Sequence, residues 1–261
     1  SRSSTAQAKA LTVDELQTLD SSEISNLSAS QVGVLSSAQL NGIQSTVIGT
    51  LSNDQVQALG TAALVGLDSA HVSKLSSTQV GSLTTAQVKV LTSDQLKTMT
   101  SDQLPSLSVA GMAVLTSAQF SAIDSGDISK LGADQIKALS TAVIGNLTSA
   151  QANSLMGDQA AALTTAQVKA MSNASLKAMT SDSLGRLSTA AMATLTASQI
   201  TAIDSADLIT MGADQVAAIN TMALSNLAST LIGVLTTDQT ASLTSNQIRA
   251  LKTEQIKGLT S

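Results

Sequence analysis

Residues 83–90 read LTTAQVKV, and residues 91–98 read LTSDQLKT. The same eight-residue frame runs without insertion or deletion from Leu11 to Leu259. Position one of each octad is Leu, Ile or Met. Position six is apolar in every unit except at Thr240. A gap-free repeat of this kind makes the chain one repetitive object rather than a globular domain decorated with sites.

The two apolar positions are separated by five residues and then by three. A straight strand would place them on opposite faces, since its side chains alternate with period two. The polar positions point elsewhere. Position two is Ser, Thr, Asp, Asn or Gly in most units, and position five is most often Gln. Thr84 with Gln87, Thr92 with Gln95, Ser28 with Gln31 and Thr244 with Gln247 have the spacing of a capping box, and Thr12 with Glu15 is its acidic form. In a capping box the hydroxyl accepts the N–H three residues on, and the long side chain reaches back to the cap N–H. Each octad is therefore predicted to be a helix of about six residues, starting after position two and ending near the next position one. Asp94, Asp134 and Asp214 fall in the first turn, and Lys97 and Lys137 towards the last, as the helix dipole favours. So short a helix is unstable alone, so both apolar positions must be buried against other units. A single long helix is the rival, but an octad drifts by ~80° per repeat around a 3.6-residue helix and holds no seam.

The fold expected is all-α: a solenoid of very short helices, one per octad. The octads run over residues 3–258 as a single continuous array. A longer period overlies them, because residues 115–146 match 195–226, ten octads on. Blocks are placed at 35–114, 115–194 and, in part, 195–261. If ten octads complete three turns, a coil holds about three and a third helices. Position five is apolar at Ala63, Val143 and Ala223, and small at Gly111 and Ala191. These octads are expected to meet the solenoid interior or a neighbouring chain.

Composition excludes several classes of function. The net charge of −5 and the dispersed Lys and Arg argue against nucleic acid, as does the lack of Trp and Tyr, with Phe120 the one aromatic. Cysteine is absent, which removes disulfides, thiol catalysis and Cys-based zinc sites. No run of about 18 apolar residues offers a membrane span.

His71 is the one histidine and stands at position five, where it is expected to replace the capping Gln; with no Cys and no second His, no nucleophilic triad assembles. Asp124 and Asp127 recur as Asp204 and Asp207 one block later. They are the candidate calcium ligands, although helix starts favour Asp at both positions anyway. Met99, Met171, Met179 and Met211 stand at position one as core filler. Pro105 is expected to loosen its octad by removing a helix N–H, and Thr240 to be a soft spot.

The phrases LTTAQVKA (163–170), LTSDQLKT (91–98) and LTTDQTAS (235–242) resemble the octapeptide arrays of very large bacterial surface and secreted adhesin-like proteins. The resemblance covers residues 3–261. It implies an extracellular, fibrous or adhesive role and carries no catalytic residue. A local phrase such as LTSDQL also resembles the start of transcription-activator-like effector repeats, whose unit is much longer and whose arrays bind DNA; the octad period and acidic charge oppose that reading.

The expectation is a non-enzymatic rod, spacer or filament subunit of the bacterial exterior, without cofactor. The alternative is a solenoid that binds a glycan, protein or surface through its Ser/Thr/Asp face. The frame enters at the seventh octad of a block and stops three residues into a unit. No polar capping repeat is recognisable, so either a longer array or self-association, end-to-end or lateral, is expected.

Overall fold

The computed structural model describes residues 4–259. Among them are 31 α-helices of four to seven residues and one 3₁₀ turn, in the order of the octads, and no strand. The helices begin at position three, as the capping argument requires. The Thr84 hydroxyl accepts from the N–H of Gln87, and the Gln87 side chain accepts from the N–H of Thr84. The boxes at Thr12, Ser28, Thr92 and Thr244 close in the same way.

The chain bends between helices without any left-handed residue; no described residue has positive φ. Two consecutive extended residues make the corner instead. Leu91 lies at φ −56°, ψ 135°, and Thr92 at φ −77°, ψ 158°. A helix commonly ends on Gly because its terminal motif needs the left-handed region. Here the terminal residue stays in a region open to any side chain. A large Leu can thus close the helix and fill the core at once.

The chain divides into two compact units, residues 1–131 and 132–261, each described by itself. Within the first, Val13–Thr18 packs on Ser37–Gly42, and Ala29–Val32 on Asn53–Ala58. Within the second, Ala133–Ala138 packs on Gly157–Ala162, and Ser149–Asn153 on Asn173–Ala178. In each of these pairs the partner lies three octads on, so each unit is a stack of helical coils. Hydrogen bonds between coils join residues 25, 28 and 31 apart. A coil therefore takes between three and four octads, a range that contains the expected value.

The core is the pair of apolar positions. Position six is sealed up to Ile232, with Leu40, Val56, Val88, Ile136 and Val216 at 0% exposure, and position one is buried from Leu35 to Leu227. Phe120 occupies position six and is buried like the aliphatics. Ala63, Gly111, Val143, Ala191 and Ala223 are buried too, but so are the position-five glutamines, so burial does not set these octads apart.

Pro105 does more than loosen its octad. Residues 101–103 form a turn and Leu104–Ser106 a 3₁₀ turn, where the other octads form an α-helix. The missing N–H removes the bond that would have closed the last α-turn. The cap pair Thr100 and Gln103 still forms.

Candidate functional site

Each position-one residue ends one helix and stands before the cap of the next. Its carbonyl lies outside the regular helical pattern and needs a donor of its own. That donor is the glutamine of a later coil. Gln55 Nε2 donates to Leu27 O at 2.7 Å, and Gln79 Nε2 to Leu51 O at 2.7 Å. In the second unit Gln167 Nε2 donates to Leu139 O at 2.8 Å, and Gln247 to Ile219 O at 2.8 Å. Each also reaches the position-six carbonyl 31 residues earlier, such as Ile24 O from Gln55 and Val216 O from Gln247. The other end of the same amide, Oε1, is held by the cap N–H of its own helix. One buried side chain thus caps the start of its helix and the end of an earlier one. These glutamines form the polar seam between coils.

The seam accounts for several of the exceptions at position five. His71 takes the glutamine's place: its Nε2 lies 2.6 Å from Ile43 O, 28 residues earlier, and its Nδ1 contacts the Asp68 carboxylate. The cap N–H of Asp68, which a Gln would bind, is taken by Asn41 Oδ1 at 3.0 Å. Both ring nitrogens are thus engaged with oxygen atoms. Burial pushes the Asp68 carboxyl up, but the side-chain bond, backbone N–H and charge of His71, with the N–H of Ala70, bring it below its ordinary value. The open depression beside His71 holds about 450 Å³ and is lined in part by Gln17, Asn41 and Gln44.

Ser175 and Ser183 reach the same acceptors directly, at 2.9 Å to Leu147 O and 2.6 Å to Leu155 O. Where position five is Ala223, the amide moves to position two: Asn220 Nδ2 donates to Leu195 O at 2.6 Å. Leu195 stands to Ala223 as Leu27 stands to Gln55, so the acceptor is unchanged. At His71, Ser175, Ser183 and Asn220 the acceptor carbonyl is kept and the donor varies.

The aspartate pairs sit at helix starts. Asp124 accepts from the N–H of Gly126 at 2.8 Å, and Asp204 from the N–H of Asp207 at 3.0 Å. Asp207 is buried at position five and accepts the Ser181 hydroxyl at 2.7 Å. Burial raises the Asp127 carboxyl above the ordinary aspartate value, and the charge of Asp124 adds to this. Among the described residues no three side chains of His, Asp or Glu gather to hold a metal ion. No described helix is long and apolar enough to cross a membrane.

The inter-coil role of glutamine is what sequence reasoning missed. A capping box accepts Glu as readily as Gln. The preference for Gln over Glu at position five was the available signal, because the second half of the glutamine's work needs an N–H.

The ALTTAQ repeat matches residues 48–85, 72–109 and 128–165. The hexapeptide itself stands at residues 162–167, spanning the last residue of one octad and the first five of the next. The first two ALTTAQ matches start three octads apart, at 48 and 72, which is the step at which helices pack. The first and third start ten octads apart, at 48 and 128, which is the length of the higher-order block. The chain is thus a helical repeat array, similar over these stretches to the ALTTAQ repeat. No curated protein matches it.

Proposed function

We propose that this chain is a non-enzymatic structural segment of the bacterial exterior, a rod or spacer that holds other parts at a distance. The seam carries this reading. Within each unit, coils are joined by amides whose donors and acceptors are both used up in the joint. The polar chemistry of the repeat is therefore spent on cohesion, and what faces water is largely uncharged Ser, Thr and Ala. Such a surface suits an extended spacer, and a cysteine-free chain is indifferent to an oxidising compartment.

The test is length. Small-angle scattering and electron microscopy should compare the chain with a variant lacking residues 115–194, one whole block. A spacer shortens in proportion to the octads removed and keeps its cross-section. A particle whose long dimension is unchanged, or which collapses to a sphere, defeats the reading. Saturable binding to a glycan surface, lost with the Ser/Thr face and independent of length, would favour adhesion instead.

A further inference from the structure

The triplet Asn-x-Ser/Thr occurs three times in this chain, at 26–28 (NLS), 146–148 (NLT) and 173–175 (NAS). It is the acceptor sequence for attaching sugar to an asparagine amide, and it belongs on the surface of an exported chain. The octad frame accounts for two of the three. An Asn at position eight is followed by the aliphatic of position one and then by the hydroxyl of position two. Asn26, Asn146 and Asn226 all stand at position eight, but Ala228 replaces the hydroxyl after the last of them.

The fold sorts these sites. Asn26 and Asn146 are exposed, each as the cap residue that ends a helix. Ser28 and Thr148, two residues on, are exposed and extended, at φ −69°, ψ 157° and φ −69°, ψ 160°. Amide and hydroxyl therefore both lie at the surface, on the corner between two helices. Asn146 gives one amide N–H to Ala142 O at 2.8 Å and retains a second. The triplet at 173–175 is closed by comparison. Its three residues open a helix, so none is extended. Asn173 Nδ2 donates to Ser198 Oγ at 2.6 Å, 25 residues on, and Ser175 is fully buried in the seam, donating to Leu147 O. Asn226 is the converse case. It is exposed and its amide donates to Met222 O at 2.7 Å, as Asn146 does to Ala142 O, yet the hydroxyl is missing.

We propose that Asn26 and Asn146 are N-glycosylation sites, each accepting a sugar from a sugar-diphosphate donor through a transferase of the cell that makes the chain. The asparagine Nδ2 attacks the anomeric carbon of the sugar. A carbon–nitrogen bond forms there, and the bond from that carbon to the diphosphate oxygen breaks with its electron pair leaving on the oxygen. One Nδ2 proton passes to a base on the transferase.

The surface gives such a modification a purpose. Charged residues make up 12% of the chain, where a well-solvated surface carries about a quarter or more. A sugar at a helix corner adds bulk and hydration where charge is sparse. It does so without disturbing the seam, because position eight takes no part in the glutamine bonds and position two keeps its cap.

This inference rests on the exterior reading for its setting, but its readout is a side chain rather than a length. Chain recovered from outside the cells that make it should be digested and mapped by mass spectrometry, with fragmentation that leaves sugar on its residue. Sugar is expected on Asn26 and Asn146, and none on Asn173 or Asn226. A single sugar marks a nucleotide-linked donor, and a preassembled oligosaccharide a lipid-linked one. Ser28→Asp and Thr148→Asp, made in the same cells, should lose all sugar at the neighbouring asparagine. Both should keep the fold by circular dichroism, since Asp20, Asp68 and Asp204 already cap helices from position two. Ala228→Ser should create a site at Asn226. The proposal falls if Asn26 and Asn146 are bare in the native chain, or if Asn173 or Asn226 carries sugar there. It falls also if the Asp variants keep their sugar or Ala228→Ser gains none. Bare asparagines on chain found outside the cell leave the spacer reading standing, so the two fail separately.

Discussion

The side-chain amide of Gln95 donates to the carbonyl oxygen of Leu67, 28 residues earlier and 2.7 Å away, and to Leu64 O at 2.8 Å. Its Oε1 accepts from the N–H of Thr92. All three contacts are at least partly buried, and Gln95 itself is 2% exposed. Replacing Gln95 with Leu should cost ~1–3 kcal/mol, because Leu67 O and the N–H of Thr92 lose their partner while Leu64 O keeps only its main-chain bond. Replacing it with Glu should cost more at neutral pH, roughly 2–4 kcal/mol, since a carboxylate is then buried against two acceptors. Burial raises such an acid's pKa, so the penalty should shrink as pH falls and the carboxyl protonates. Urea unfolding of both variants at pH 7 and pH 4 measures this.

Coil spacing gives a second prediction. Gly49 and Gly185 both stand at position seven, each facing a carbonyl of the next coil. A Cβ on Gly49 would meet Lys74 O at 2.7 Å, and one on Gly185 would meet Thr210 O at 3.5 Å. Gly49 has φ −67°, so backbone strain does not enter. Gly49→Ala should therefore destabilise by about 1–3 kcal/mol through the clash with main chain. Gly185→Ala should be neutral or stabilise by up to about 1 kcal/mol, since Ala is the better helix former. Thermal melts of the pair separate spacing from propensity.

Acid should act through Asp68. Its folded carboxyl titrates below the ordinary aspartate value, so the group stabilises the fold above that value. The contribution is lost as pH falls through the folded pKa. Asp68→Asn should flatten this part of the acid unfolding curve while leaving neutral stability less affected than His71→Ala does. The latter strips Ile43 O of its donor. Stability measured from pH 2 to 7 checks both.

Two soft octads can be repaired. Pro105→Ala restores the N–H whose loss leaves Leu104–Ser106 as a 3₁₀ turn, and should recover an α-helix there. Thr240 is half-buried at position six, in a row of aliphatic side chains. Thr240→Val keeps the shape and removes a hydroxyl, which should add about 0.5–1 kcal/mol. Denaturant midpoints and native-state hydrogen exchange at these octads would show the gains.

The fold was legible because each octad states its structure locally. Thr84 and Gln87 announce the helix start, and Leu83 and Val88 announce burial. What stayed hidden was the meaning of residues whose partners lie a whole coil away. Gln87 looks complete once its capping box is drawn, yet half of it serves Val56 and Leu59. His71 was expected to replace Gln as the cap; instead it replaces Gln in the seam at Ile43 O while Asn41 takes the cap N–H, and that acceptor depends on the coil pitch, which no local pattern states. Gly49 reads as a weak helix residue until the carbonyl of Lys74 is seen above it. The aspartate pairs were legible as caps, whereas the hydroxyl of Ser181 on Asp207 was not.

The direction of the glutamine bonds has a consequence for how such a chain is built. Each amide points from a later residue to a carbonyl made earlier, as from Gln55 to Leu27 and from Gln247 to Ile219. A polypeptide emerging amino end first from a ribosome or an export channel lays down each acceptor row before the donors that need it. Every new coil finds the acceptors of its glutamines already in place, while the fewer donors that point forward, such as Ser93 to Ala118 O and Asn41 to Gly66 O, wait for the next coil. Growth and folding can therefore keep step, with only the newest coil unfinished at any moment.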